Sequence, residues 1–242
     1  MTISATIDLH EAAGTGWDAV VVGAGPAGSV AARELSSCGL RTLLVDRKSF
    51  PRNKVCGACV NGRAVAALAQ LGLDGILKRS HAVPLDCFRV QSCGRRVDIP
   101  LPAGVAVTRS ALDAGLLEAA VEAGTDFLPE TSATLLDVSA GGSAREVKLV
   151  QSGQNRGNTR AASAKVVLLA DGVGNSSLPR HHRLQSQVAA SSRIGFGGVI
   201  DINNCPESYE TGTISMAVAT GGYVGLVRVE DGSLNIAAAL DP

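Results

Sequence analysis

The sequence predicts an α/β fold: a parallel sheet opened by a strand–helix–strand unit, followed by a β-rich second part. Three observations carry this. Two short β-branched runs, Trp17–Val22 and Arg41–Asp46, flank a helical stretch from Pro26 to Cys38, and such units close right-handed into parallel sheets. Later segments alternate apolar and polar residues around Gly-containing turns, the mark of hairpins and meanders. The 242 residues are 45% hydrophobic and 18% charged, which describes a chain with a core and excludes a disordered one.

Along the chain, residues 1–16 read as a loose extension. Trp17–Val22 is a strand apolar on both faces and ending in glycine, as in a doubly covered sheet. The helix from Pro26 stops at Gly39. Arg41–Asp46 is the second strand, and a basic loop follows with Arg47, Lys48, Arg52 and Lys54. Asn61–Leu71 reads as a helix. Residues 85–102 alternate about Ser92-Cys93-Gly94, a hairpin. Ser110–Glu122 is a helix, with Ser110 and Asp113 in the spacing of a capping box. Phe127–Leu149 is strand-like with a break at Gly141-Gly142. Residues 151–164 are polar and read as an exposed turn before the buried strand Lys165–Ala170. A polar connector holds His181 and His182. Residues 194–240 then contain three or four strands, parted by Asn203-Asn204, Gly221-Gly222 and Asp231-Gly232.

Composition removes several classes of function. Lys+Arg and Asp+Glu both number 22, which argues against a dedicated nucleic-acid binder or a polybasic membrane adaptor. Aromatic residues are only 3%, too few for a single-strand stacking platform. No apolar run approaches the ~20 residues of a membrane span, so any membrane contact would be peripheral. The first sixteen residues lack the charge and apolar pattern of a signal peptide, and the six cysteines read as reduced thiols. The expected compartment is the cytoplasm.

Gly23-Ala24-Gly25-Pro26-Ala27-Gly28 is a G-x-G-x-x-G between a strand and a helix. Gly23 permits the tight turn, Gly25 lets a pyrophosphate approach the backbone, and Gly28 lets helix and strand pack closely. The helix start offers N–H groups and partial positive charge to phosphates. Asp46 ends the second strand eighteen residues after Gly28, where a carboxylate accepts from ribose hydroxyls. The pattern reads as a dinucleotide site rather than a mere structural turn, and the glycines alone do not separate a nicotinamide from a flavin dinucleotide.

Further segments carry a family resemblance. Trp17–Arg47 resembles the FAD fingerprint of the two-dinucleotide-binding flavoproteins. Phe50-Pro51-Arg52-Asn53-Lys54-Val55-Cys56-Gly57 is similar to the FPRxKxCG loop of their geranylgeranyl-reductase-like branch, within the aromatic-hydroxylase-like class. Arg109–Leu117 resembles the R-x-x-x-D-x-x-L segment of that class, and Leu169–Asn175 its GADG-type segment, with Leu169 where the family usually has Gly. The resemblance implies a Rossmann-like FAD-binding domain from residues 1–80 and 104–182. It also implies a β-rich substrate domain from 81–103 and 183–242, with the flavin held between them. By position, Gly23, Gly25, Ala27 and Gly28 would hold the pyrophosphate and Asp46 the adenosine ribose. Arg47, Arg109, Asp171 and Gly172 would line the rest of the groove.

The implied activity is an FAD-dependent oxidoreductase, reduced by NAD(P)H or another donor. It would pass a hydride to an unsaturated, isoprenoid- or polyketide-like substrate, or else hydroxylate a small hydrophobic or aromatic one. The reductase is preferred. No residue is assigned as catalytic. The family's later Gly-Asp segment has no match before Pro242, so the chain alone is expected to bind FAD weakly, through its ADP half, and to turn over poorly.

Two other readings stay open. Cys56-Gly57-Ala58-Cys59 fits a dithiol exchanging electrons with a flavin, although its Cys-Gly step already belongs to the loop motif. A non-catalytic nucleotide-binding fragment is the other. No second C-x-x-C or H-x-x-x-H accompanies the pair, so no metal site is expected. His181-His182, flanked by arginines, reads as a solvated turn.

Overall fold

The computed structural model describes residues 2–136, 144–152, 157–174, 176–178 and 187–242. The Gly141-Gly142 break, Asn175 and the His181-His182 connector lie outside the described residues.

In chain order the first elements are α1 (Leu9–Gly14), β1 (Gly16–Val22), α2 (Pro26–Ser37), β2 (Thr42–Val45) and β3 (Cys59–Asn61). Next come α3 (Gly62–Gln70), α4 (Asp74–Arg79), β4 (Val83–Pro84), β5 (Cys87–Ser92), β6 (Arg95–Pro100) and β7 (Gly104–Ala106). Then follow α5 (Arg109–Glu122), β8 (Asp126–Leu128), β9 (Thr131–Leu135), β10 (Arg145–Gln151) and β11 (Thr159–Leu169). The last strands are β12 (Ile194–Ile200), β13 (Thr213–Ala219), β14 (Gly222–Arg228) and β15 (Leu234–Leu240). The chain divides into two compact units, Met1–Arg52 with Asp113–Gln187 and Asn53–Leu112 with Val188–Pro242. β3 and β4 both pair with β7, within the second unit.

The first unit is built on a six-stranded sheet in the order β8-β2-β1-β11-β10-β9. Pairing is parallel from β8 through β11 and antiparallel beyond. β1 is central and apolar on both faces. Val20 and Val22 pack with Trp17, Leu43 and Val45, while Val21 packs with Leu44, Ala32 and Phe127. This double coverage is why the strand reads as an unbroken apolar run.

Two expectations are corrected by this unit. Residues 2–16 are part of the fold: Asp8 caps α1 by accepting from the Glu11 N–H at 2.8 Å, and Ile7, Leu9 and Ala12 are buried. Ile3 bridges to Phe50, and the Thr6 N–H donates to Phe127 O at 3.0 Å. The second concerns the expected turn over 151–164. β10 runs to Gln151 and β11 already begins at Thr159, pairing antiparallel with β10 from Val150–Thr159 to Arg145–Ala164. The inward positions are the small Ala162 and Ala164, which carry little hydrophobic signal although they lie in the core.

The second unit holds the mixed sheet β12-β15-β14-β13-β5-β6, antiparallel except between β13 and β5. Of the three or four strands expected over 194–240, four are present. The β5–β6 hairpin turns on Cys93 and Gly94, both in the left-handed region at φ 48° and 74°, which matches the twist of the flanking strands. Arg89 on β5 ion-pairs with Asp98 on β6, and Arg96 and Arg89 together hold the Asp98 carboxyl well below the usual carboxylate range. One end of this sheet packs Val227 and Ile214 against Ala58, Leu85 and Ala106.

The start of α5 also differs from expectation. Its cap is Thr108, whose Oγ1 accepts from the Ala111 N–H at 3.1 Å. Glu230 in turn accepts from the Thr108 N–H and hydroxyl. Ser110 and Asp113, expected as the cap, both lie within the helix past Thr108, and Asp113 ion-pairs with Arg52. No helix among the described residues is long and apolar enough to cross a membrane.

Candidate functional site

The carboxyl ends of β1, β2 and β11 meet at one edge of the first unit's sheet. Gly23 leaves β1 there, its N–H donating to Val45 O at 2.7 Å, while the Ala170 N–H donates to Val22 O at 2.8 Å. Gly23 has φ +102°, and a Cβ on it would lie 2.5 Å from Ala170 O. A Cβ on Gly28 would lie 1.8 Å from Gly23 O. No side chain fits either position, so these two glycines set the turn and seat α2 on the strand end.

Gly25 behaves differently. It is the N-cap of α2 with φ −78° and ψ −176°, values open to any residue, and Pro26 follows at the first helical position. No side chain caps this end and no acidic residue lies in its first turn. The first N–H groups of a helix have no intrahelical acceptor, so a partial positive charge stands here without a carboxylate of its own turn to balance it. Ala27 is exposed on that turn.

Asp46 follows β2 and is only 8% exposed. Its Oδ2 accepts from the Ala24 N–H at 2.8 Å and its Oδ1 from the Lys48 N–H at 2.9 Å. The carboxylate thus ties the glycine turn to the second strand. A carboxylate has about four lone-pair sites, so acceptor capacity remains after these two bonds.

The other expected site residues divide. Arg47 is exposed beside Asp46. Asp171 Oδ2 accepts from the Ser177 N–H at 2.9 Å and the Ser176 hydroxyl at 3.2 Å, closing the turn after β11. Gly172 has φ +85°, a left-handed position inside that turn. Gly23, Gly28, Asp46 and the Ala170–Asp171 backbone are brought to the same strand ends. Arg109 opens α5 in the second unit and is half-buried.

One contact at these strand ends is invisible in the sequence. Arg52 is not a solvated loop cation: its guanidinium lies 3.3 Å from Asp113 and 3.9 Å from Asp46, over the Phe50 ring at 4.8 Å. Arg52 and Asp113 each belong to a recognisable motif, but nothing in their spacing pairs them.

Cys56 and Cys59 are free thiols. The Cys59 residue is exposed, yet its sulfur is crowded by protein and donates to Gly57 O at 3.1 Å. Burial first, and the neighbouring Cys56 second, push the Cys59 thiol up to about 11. Since the thiolate is the reactive form, this disfavours Cys59 as a redox nucleophile at neutral pH. Alkylation of Cys59 by iodoacetamide, followed by mass spectrometry, is expected to be slow at pH 8 and to quicken roughly tenfold per pH unit toward 11. Rapid alkylation at pH 7 would restore the dithiol reading.

Comparison with known proteins identifies the family and the fold. A family model described as "FAD binding domain" matches residues 17–218. A menaquinone reductase of Mycolicibacterium smegmatis is 35% identical over 64% of this chain and 37% of its own length. A digeranylgeranylglycerophospholipid reductase of Methanothermobacter thermautotrophicus is 28% identical over 85% of this chain and 51% of its own. The chain therefore spans about half or less of these relatives. Among solved structures, a flavoprotein/dehydrogenase of Cytophaga hutchinsonii superposes with a TM-score of 0.78 at 22% identity, over 94% of this chain and 56% of that one. That likeness establishes the fold.

Proposed function

This chain belongs to the FAD-binding domain family, and from that premise we propose that it serves an FAD-dependent oxidoreductase that reduces a hydrophobic, unsaturated substrate of the isoprenoid or quinone class. The observation that carries the reading is the uncapped, acid-free start of α2 beside Asp46, at the strand ends where α/β sheets take their ligands. Gly25, Ala27 and Gly28 would meet the pyrophosphate with N–H groups of the helix start. Asp46 would accept from the ribose with the lone pairs that Ala24 and Lys48 leave. Arg47, Arg109, Asp171 and Gly172 are assigned to the remainder of the cofactor site on the family's pattern. Bound FAD supplies the two-electron redox chemistry, which no side chain of the site provides.

The first unit is proposed as the cofactor-binding body and the second as the substrate-bearing one. An apolar sheet face in the second unit supports this. Directly paired residues share a face, so the pairs Phe88–Ile99, Val90–Val97 and Val218–Tyr223 place these side chains together. Val97 is 58% exposed and Ile99 45%. The reductase names of both relatives support the same substrate class. NAD(P)H is the proposed donor.

The chain is tested by FAD titration, following flavin-fluorescence quenching with ADP as competitor. Saturable quenching that ADP reverses is expected, and its absence overturns the cofactor assignment. The loaded chain is then reduced under nitrogen and mixed with a prenylated quinone. Return of the oxidised flavin absorbance supports the reductase. Substrate conversion that requires oxygen replaces it with a hydroxylating monooxygenase.

A further inference from the structure

We propose that Arg52 is a positioning residue for the dinucleotide, acting through Asp46 on the glycine turn; this rests on the FAD reading above. The contacts form one line. Asp113 on α5 is fully buried and lies 3.3 Å from one guanidinium nitrogen of Arg52. The other nitrogen lies 3.9 Å from Asp46 Oδ2, the same oxygen that accepts from the Ala24 N–H at 2.8 Å. Phe50, itself buried and packed edge-to-face on Phe127 at 5.9 Å, supports the guanidinium from below. Only 13% of the Arg52 side chain is exposed, so water screens these charges weakly.

The arrangement suits arginine in particular. Its planar fork addresses two carboxylates at once, which the single ammonium of lysine does less well. One guanidinium thus stands near two carboxylates, Asp113 on α5 and Asp46 after β2. With Arg52 between them, the Asp46 carboxylate keeps the orientation that places Oδ2 on Ala24 and presents its remaining lone pairs to a ribose. Arg52 itself touches no cofactor in this proposal. Its effect on binding passes through Asp46.

Two measurements on the whole chain test this, with Arg52→Met and Arg52→Lys beside the wild type. The first is hydrogen–deuterium exchange of the Ala24 amide without ligand; the second is ADP affinity by calorimetry. Arg52→Met is expected to speed Ala24 exchange about tenfold and weaken ADP about tenfold, while the amides of Val20–Val22 keep their protection. Arg52→Lys is expected to recover part of both. Unchanged Ala24 exchange and ADP affinity in Arg52→Met overturn the proposal. So does a rise in exchange shared by all of β1, which would mark a merely structural role. If Arg52→Met does not fold, Arg52→Lys decides, with smaller changes expected in the same two quantities. A wild-type chain that fails to bind ADP overturns the FAD reading instead, and Ala24 exchange then decides by itself whether Arg52 holds the turn.

Discussion

Gly28→Ala is expected to abolish FAD binding and to destabilise the first unit by about 3 kcal/mol or more, the upper end for overpacking. The reason is local and severe. The new methyl would sit 1.8 Å from Gly23 O, with Gly23 C at 3.0 Å and the Ala170 methyl at 3.3 Å. The nearest obstacle is backbone at the strand end, which cannot rotate aside as a side chain would. The helix would have to lift from the sheet, carrying its N-terminus away from Asp46. Urea denaturation and FAD-fluorescence quenching measure the two effects. A variant with wild-type stability and FAD affinity would show that Gly28 does not seat α2 for binding. Gly25→Val supplies the contrast: its backbone is compatible with any residue, so binding is expected to be lost while stability is kept.

Asp46→Ala is expected to weaken FAD by about one to two decades, the loss of a charge-assisted hydrogen bond to the ribose. A second loss accompanies it. The N–H groups of Ala24 and Lys48 lose the acceptor they hold at 2.8 and 2.9 Å, which is expected to cost about 2–4 kcal/mol of stability. Asp46→Asn keeps one acceptor oxygen and should fall between. The same two assays check this. Unchanged FAD affinity in the alanine variant would take Asp46 out of the ribose contact, even if the stability loss were found.

The strand, glycine turn, helix and second strand were legible because their signals are local. Alternation, propensity and a required φ at Gly23 all act within about thirty residues, and no distant contact is needed to recognise them. The same holds for the Cys93-Gly94 hairpin and the turns that part the four strands after Ile194. The candidate site residues on those elements, Gly23, Gly28 and Asp46, lie at the same strand ends.

Tertiary structure alone decided what those residues touch. Asp46 reaches Ala24 twenty-two residues earlier, Arg52 reaches Asp113, and Thr6 is joined to Phe127 across 121 positions. A loop cation next to a nucleotide motif carries no mark that it is spoken for by a buried aspartate. Nor does a short N-terminal stretch reveal that Phe50 and Phe127 wait to pair with it. Residues 159–164 carry little hydrophobic signal because their buried positions are held by the small Ala162 and Ala164. Local patterns determined which elements form and where a dinucleotide could lie. Packing of elements distant in sequence decided which charges meet, because burial and pairing are properties of the assembled chain.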